Sequence, residues 1–532
     1  MNEAALINAA IETGLIDAHS LPSLRARART ERLPFLEVAL REHRLPLTAL
    51  NMALATSRKI PYLNPEECFV AAEDLLKLPP SLTQRHLTLP VRFNNQRFLL
   101  VGDPDDRAAQ DAARRALGVS LPIALAESDS LAAILKQHTG NSGGYTNEIE
   151  DPVKLLDRIM KEAWLRYASD IHIEPTYDTW RIRFRADGVL QHWGGMLPKA
   201  NGEALISRIK VLAGMDITES RIPQDGSMHY EIKDWHNAES DLRIASVPAR
   251  YGERLTIRLL NQGKLNLSLN QLGMPPVLLE KFKATLAKPH GIVLVTGPTG
   301  SGKSTTLYAT LRTLDVNRFN IMTVEDPVEQ TLNGVTQVQA NEKCDFPDAI
   351  KSFLRHDPDI IMVGEIRDPD TAKTALKAAM TGHLVLSTLH TNNALAALTR
   401  MVDIGCESFL VADTVVAVFA QRLVRRLCKA CRTTSQSTQE ESQLLGIPLN
   451  SPIYRPHGCP QCMGSGYRGR IGLYEGMWVN PEVADAVAAG KTERQLIPLV
   501  KDWYRLKEDA RTKVLDGTTS VDEVRYYLLG EE

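Results

Sequence analysis

The sequence predicts an α/β protein whose largest domain is built on a doubly wound parallel sheet. From Leu272 onward, short unbroken apolar runs (GIVLVTG, IIMVGE, LVLSTL) alternate with helical stretches, the pattern of parallel strands covered on both faces. The octapeptide GPTGSGKS, Gly297 to Ser304, stands between one such run and a helical stretch, where a doubly wound sheet places its ligand. Between Asp151 and Asn261 the pattern changes to alternation, as in TWRIRFRADGVLQHW, which marks a separate sheet.

At 532 residues the chain is long enough for two to four domains, each with its own core. Hydrophobic residues make up 43% and charged residues 24%, ordinary for a folded chain. The net charge of −2, from 62 basic and 64 acidic residues, supplies no global field for a polyanion, so nucleic acid is not an expected partner. The opening MNEAALINAAIETGLIDAHS has no basic cluster before its apolar stretch, so export is not expected. The run Phe409 to Ala420 is about a dozen residues and contains Asp413, too short for a bilayer of about 30 Å.

In chain order, Glu3 to about Ala55 carries apolar residues at helical spacing (Leu33, Leu36, Leu40) and predicts short helices. LPVRFNNQRFLLVG, from Leu89, predicts a hairpin turning at Asn-Asn, followed by a helix starting near Asp105 or Asp106. HTGNSGGYTNEIE has no apolar period, so 1–140 is expected to be an N-terminal domain and 141–150 a linker. Residues 151–264 predict a second domain on a mixed sheet with an Asp187-Gly188 turn, and 265–427 the doubly wound domain. Residues 428–470 hold two cysteine pairs, and 471–532 are expected to be a helical appendage.

GPTGSGKS matches G-x-x-x-x-G-K-[ST] in its required setting, after the strand Ile292 to Thr296 and before a helix. Gly297, Pro298, Thr299, Gly300, Ser301, Gly302, Lys303, Ser304 and Thr305 are therefore the candidate ATP and Mg²⁺ site: the loop surrounds phosphate with backbone N–H groups, Lys303 reaches the β and γ phosphates and Ser304 ligates the metal. Hydrolysis also needs an acid that orients or deprotonates water. Glu365, just beyond Ile360 to Val363, is the candidate base. In TVEDPVE, Glu325 and Asp326 are placed to hold the metal's water shell or assist the attacking water. TGHLVLSTLHTN brackets a strand with His383 and His390 and puts Thr388 near its end, where a γ-phosphate sensor belongs.

In this order the segments resemble the Walker A, Asp box, Walker B and His box of the type II/type IV secretion ATPase family, and ASDIHIEP, RIRFRADGV and GERLTIRLL resemble its second N-terminal domain. The likeness spans roughly Asp151 to Arg470, and Gly364, where many P-loop enzymes carry an Asp, also matches it. It implies a PAS-like second N-terminal domain, a RecA-like ATPase domain and a homohexamer whose nucleotide is completed by arginines. Arg243 and Arg258 match those positions, with Arg367 and Arg400 as further candidates.

Cys428, Cys431, Cys459 and Cys462 form two Cys-x-x-Cys knuckles separated by 27 residues, the ligand set of a closed, structural Zn²⁺ site. Within the family this insert and the long N-terminal region resemble assembly rather than retraction ATPases. The resemblance therefore implies pilin polymerisation in type IV pilus assembly, with a type II secretion pseudopilus as the alternative and a DNA-translocating motor as the alternative of another class. It also implies an inner-membrane platform partner, a docking protein met by an N-terminal docking domain, and a cytoplasmic chain held peripherally at the bacterial inner membrane. Some relatives bind cyclic di-GMP through paired Arg-Leu-Gly motifs; the N-terminal helices here lack that tripeptide, so this ligand is not expected.

Overall fold

The computed structural model describes residues 3–138, 150–194, 196–235, 238–260 and 267–529. Most of the linker expected at 141–150 lies outside them. The chain forms two compact units, 1–262 with 457–466, and 263–456 with 467–532.

The first unit opens with four helices, Glu3–Glu12, Leu21–Glu31, Phe35–His43 and Leu47–Ser57, which close over Leu6, Val38, Leu50 and Leu54. A four-stranded sheet follows, and its hairpin Thr88–Phe93 to Gln96–Val101 turns at Asn94 and Asn95 as the sequence predicts. Both asparagines have positive φ, 47° and 63°, the requirement of a two-residue turn that matches strand twist. Helix Arg107–Leu117 starts where Asp106 accepts a hydrogen bond from the Ala109 N–H at 3.0 Å.

The next sheet has the order Val189–His192, Thr179–Ala186, Ala168–Pro175, Gly252–Leu260, Glu239–Ala249, Gln224–Glu231. It was expected to be mixed, but each of these neighbouring pairs is antiparallel. Tight turns account for the hairpin pairs, because a turn such as Asp187-Gly188 (φ 49° and 85°) can join only antiparallel strands; the central pair, Ala168–Pro175 with Gly252–Leu260, is antiparallel without one. Alternation along Thr179–Ala186 buries Trp180, Ile182 and Phe184 beneath helices Pro152–Leu165 and Lys199–Leu212.

The second unit carries the doubly wound sheet. Its elements are β1 (Gly291–Thr296), α1 (Lys303–Leu311), β2 (Ile321–Glu325), β3 (Thr336–Gln339), β4 (Ile360–Val363), α2 (Pro369–Met380), β5 (Leu384–Leu389), α3 (Ala394–Asp403), β6 (Val415–Leu427), β7 (Tyr467–Trp478) and β8 (Trp503–Tyr504). Strand order is β3-β2-β4-β5-β1-β6-β7-β8, parallel as far as β6 and antiparallel beyond it. All six residues of β1 are buried, as an unbroken apolar run requires.

β7 corrects one expectation. Residues 471–532 were expected to be helical, and helices Pro481–Ala488, Leu506–Leu515 and Val521–Leu529 are present. The segment nevertheless begins inside a twelve-residue strand that pairs with β6 from Ala417↔Trp478 to Leu427↔Tyr467. The cysteine segment is thus an excursion between two neighbouring strands of the central sheet. No described helix is long and apolar enough to cross a membrane.

Candidate functional site

The phosphate loop leaves β1 at Thr296 and enters α1 at Lys303. Two of its glycines are dictated by their surroundings: a Cβ at Gly297 (φ 148°) would lie 2.4 Å from the Gln421 carbonyl oxygen, and one at Gly302 (φ 88°) 2.8 Å from the Gln421 amide nitrogen. Lys303 is buried, and its Nζ donates to the carbonyls of Gly297 at 2.8 Å and Pro298 at 3.2 Å. Burial lowers its pKa, Glu365 opposes that shift and Arg422 adds to it. The Ser301 hydroxyl is buried without a partner, while Ser304 is exposed. A buried ammonium held only by carbonyls, an orphaned hydroxyl and a cradle that a Cβ would fill together fit a phosphate chain.

Glu365 follows β4 in a segment pinned on both sides: the Gly364 N–H donates to Val324 O at 2.8 Å and the Ile366 N–H to Thr388 O at 3.0 Å. Its Oε1 meets Arg367 at 2.6 Å and its Oε2 lies 3.6 Å from His390 Nε2. Burial, then the positive charge of Lys303, holds the His390 pKa below the ordinary histidine value. Lys303, Glu365, Arg367 and His390 are therefore one electrostatic cluster at the carboxyl ends of parallel strands.

Other expected site residues stand elsewhere. His383 precedes β5, at the opposite edge of the sheet from the loop, about 20 Å away by the rise of a six-residue strand. There its Nδ1 bonds the Ala378 carbonyl at 2.9 Å, closing the turn that leads into β5. Thr388 also departs from expectation, since its hydroxyl donates to Gly364 O at 2.8 Å and braces the Glu365 segment. Arg400 is exposed in the last turn of α3, which runs away from the strand ends.

Glu325 is buried, and its carboxylate accepts from Tyr308 Oη, from Thr323 Oγ1 at 2.7 Å and from Gln337 Nε2 at 3.1 Å. With both oxygens engaged it ties β2, β3 and α1 together, and no described hydrogen bond or ion pair joins it to Lys303 or Glu365. In the first unit Arg243 and Arg258 are cross-strand partners. They line an open pocket of about 700 Å³ with Asp225, Ser227 and Thr256, and Arg258 Nε also pairs with Asp170 at 3.1 Å. Motif reading passed over Gln421 and Arg422 of β6, buried against the loop; their signal is a polar pair interrupting the apolar strand VVAVFAQRLV.

The four cysteine sulfurs lie within 4.8 Å of one another. Cys459 and Cys462 Sγ are 3.8 Å apart, the edge of a tetrahedron with Zn–S bonds of about 2.3 Å. The Cys459 and Gly466 N–H groups donate to Cys462 Sγ, each at 3.2 Å, which favours the thiolate. The donor set fits zinc and leaves no position open for substrate.

Residues 147–526 match the model of the family described as "Type II/IV secretion system protein", and 58–144 that of the "MshEN domain". The chain is 47% identical to the type II secretion system protein E of Klebsiella pneumoniae over 376 residues, 70% of this chain and 75% of that one. It is 37% identical to the type IV pilus assembly ATPase PilB of Thermus thermophilus over 509 residues, 90% of this chain and 57% of that one. The Legionella pneumophila ATPase DotB shares the fold, with a TM-score of 0.52 at 23% identity, covering 71% of this chain and 96% of its own. A complete phosphate loop beside an acidic strand end, in a chain matched from 147 to 526, makes this protein an ATPase of the type II/IV secretion system family, whose members' names include both secretion and pilus assembly.

Proposed function

We propose that this chain is the hexameric motor of type IV pilus assembly, hydrolysing ATP at the loop Gly297–Thr305 to drive pilin polymerisation. One observation carries the choice of pilus: the match to PilB runs through the N-terminal region and covers 90% of this chain, whereas the secretion proteins align over 70 to 75% of it. The second reading, a type II secretion pseudopilus, is favoured by the 47% identity to the Klebsiella protein.

In this reading Lys303 exchanges its two loop carbonyls for phosphate oxygens when ATP arrives. Glu365 takes the proton of the attacking water, held in place by Arg367 and by the pinned backbone around it. His390, neutral near pH 7, offers a hydrogen bond rather than a charge. Arg243 and Arg258 answer the charge that develops on the transferred phosphoryl group. Magnesium, bound with the nucleotide, would neutralise phosphate charge, and the exposed Ser304 hydroxyl is the ligand the loop offers it. Zinc at Cys428, Cys431, Cys459 and Cys462 would hold the excursion together. The chain works in the cytoplasm, against a platform protein of the inner membrane and a docking protein met by its N-terminal domain.

The test is complementation of a strain lacking this gene with wild type or Lys303→Ala, scoring surface pili and secreted enzymes separately. Pili restored by wild type alone, with secretion unaffected, support the proposal. Restored secretion with pili unchanged moves the motor to the pseudopilus.

A further inference from the structure

Arg422 is 8% exposed on a strand whose neighbours are otherwise largely apolar. Its Nη1 donates to the Gln421 carbonyl at 3.0 Å and its Nη2 to the Asn392 carbonyl, two residues beyond His390. Neither Arg422 nor Lys303 forms an ion pair with any described carboxylate. A guanidinium taken out of water whose described hydrogen bonds go only to carbonyls is costly to keep; burial lowers its pKa although Tyr527, Glu475 and Tyr526 oppose the shift, and it sits beside a second buried cation that it repels. A bound anion would offset that cost.

The position of Arg422 says which anion. A Cβ on Gly297 would lie 3.0 Å from Arg422 Nη1, 2.7 Å from the orphaned Ser301 hydroxyl and 2.4 Å from Gln421 O, so the guanidinium lies directly against the first turn of the phosphate loop. Gln421 fixes the other end, accepting from Thr306 Oγ1 of α1 at 2.7 Å. The polar pair on β6 thus supports both ends of the loop, and through Asn392 it also reaches the segment that carries His390.

We propose that Arg422 is a positioning residue for nucleotide, a buried positive charge behind the phosphate loop that the triphosphate neutralises together with Lys303, while its bond to Asn392 ties the loop to the His390 segment. The proposal rests on ATP binding at this loop and adds a residue that acts through it without touching substrate. A buried charge awaiting its counter-ion should strengthen nucleotide binding at the expense of the empty protein. A purely structural arginine should do the reverse.

The experiment uses full-length protein with Mg²⁺ and a fluorescent ATP analogue, followed by steady-state turnover and melting without nucleotide, for wild type, Arg422→Gln, Arg422→Lys and Lys303→Ala. Arg422→Gln should weaken the analogue roughly 30-fold, as expected for one charge removed from a buried anion site. The loss should appear in KM, with kcat changed less than about threefold. Arg422→Lys should recover most of the affinity, and the empty Arg422→Gln protein should melt at or above the wild-type temperature. Unchanged affinity in Arg422→Gln, equal loss in Arg422→Lys, or a melting temperature lowered by more than about 5 °C would each overturn the proposal. Wild type that fails to bind the analogue, or Lys303→Ala that binds it as wild type does, overturns the nucleotide reading itself and Arg422's role with it.

Discussion

Replacing Tyr308 by Phe removes one oxygen that three groups share. The hydroxyl donates to the Glu325 carboxylate and accepts from the N–H groups of Glu329 at 3.1 Å and Gln330 at 3.2 Å. Burial raises the phenol's pKa, so it remains a donor at any working pH. A hydrogen bond to a buried carboxylate contributes about 1.5–3 kcal/mol, and each of two N–H groups on a partly exposed loop about 0.5 kcal/mol once water reaches it, close to 3 kcal/mol together. At 1.4 kcal/mol per decade that is roughly a 100-fold rise in local opening. The opening is local, so the suitable assay is amide exchange resolved to peptides across 321–340. Residues 329 to 339 should exchange about 100-fold faster in Tyr308→Phe, with the β1 peptide unchanged. Acceleration under about fivefold would refute Glu325 as a strut and return it to candidacy for the chemistry.

Glu365→Gln keeps the shape of the side chain but removes the base, so kcat should fall by roughly 10²–10⁴ while nucleotide affinity stays within a few-fold; a loss in kcat under threefold would place the base elsewhere. Purified wild type should carry about one zinc per chain by elemental analysis and Cys459→Ser almost none; metal-free wild type prepared without chelator would contradict the cluster. His172, facing Asp170, Glu174, Arg185 and Arg254, has its pKa lowered by burial and then by Arg254. The unfolded chain therefore binds the proton more readily, and this contribution to stability is present above about pH 6.5 and lost as pH falls toward the folded value. Melting temperature should drop less steeply below pH 6.5 in His172→Gln than in wild type; parallel curves would remove His172 as the cause.

The phosphate loop and the strand ends around it were legible because each is a local pattern: a run of buried residues, a glycine turn, a helix start. β7 was not: the residues from 471 onward were expected to be helical, and Gly469, Gly472 and Gly476 break its apolar run. The structure gives two of them another reason: a Cβ at Gly472 would strike the Tyr474 ring at 2.5 Å, and one at Gly476 would meet Leu278 at 2.4 Å. Those are packing constraints from partners nearby in space, and spacing alone does not carry them. The contact of Thr306 with Gln421 spans 115 residues and was equally hidden. His383 is different. A residue just before a parallel strand lies at the amino edge, away from the ligand, so the topology already implied by the sequence was enough to set it apart from His390.

β6 explains how these parts act as one site. Its middle carries Gln421 and Arg422 against the loop, and its far end hands the chain at Leu427 to the cysteine excursion, which returns at Tyr467 on β7. β7 in turn places Glu475, whose Oε2 accepts from the Ala394 N–H that opens α3 at 3.3 Å and whose Oε1 accepts from Trp503 Nε1 at 2.7 Å. The segment 390–394 is therefore held from one side by Arg422 and from the other by Glu475, on adjacent strands of one ladder. A displacement of His390 toward or away from a γ phosphate must either break one of those bonds or carry β6 and β7 with it. β6 is also paired with β1 up to Thr296↔Ala420, so carrying both strands along would disturb the sheet at the phosphate loop itself, and breaking one of the two bonds, at about 1.5–3 kcal/mol, is the cheaper course.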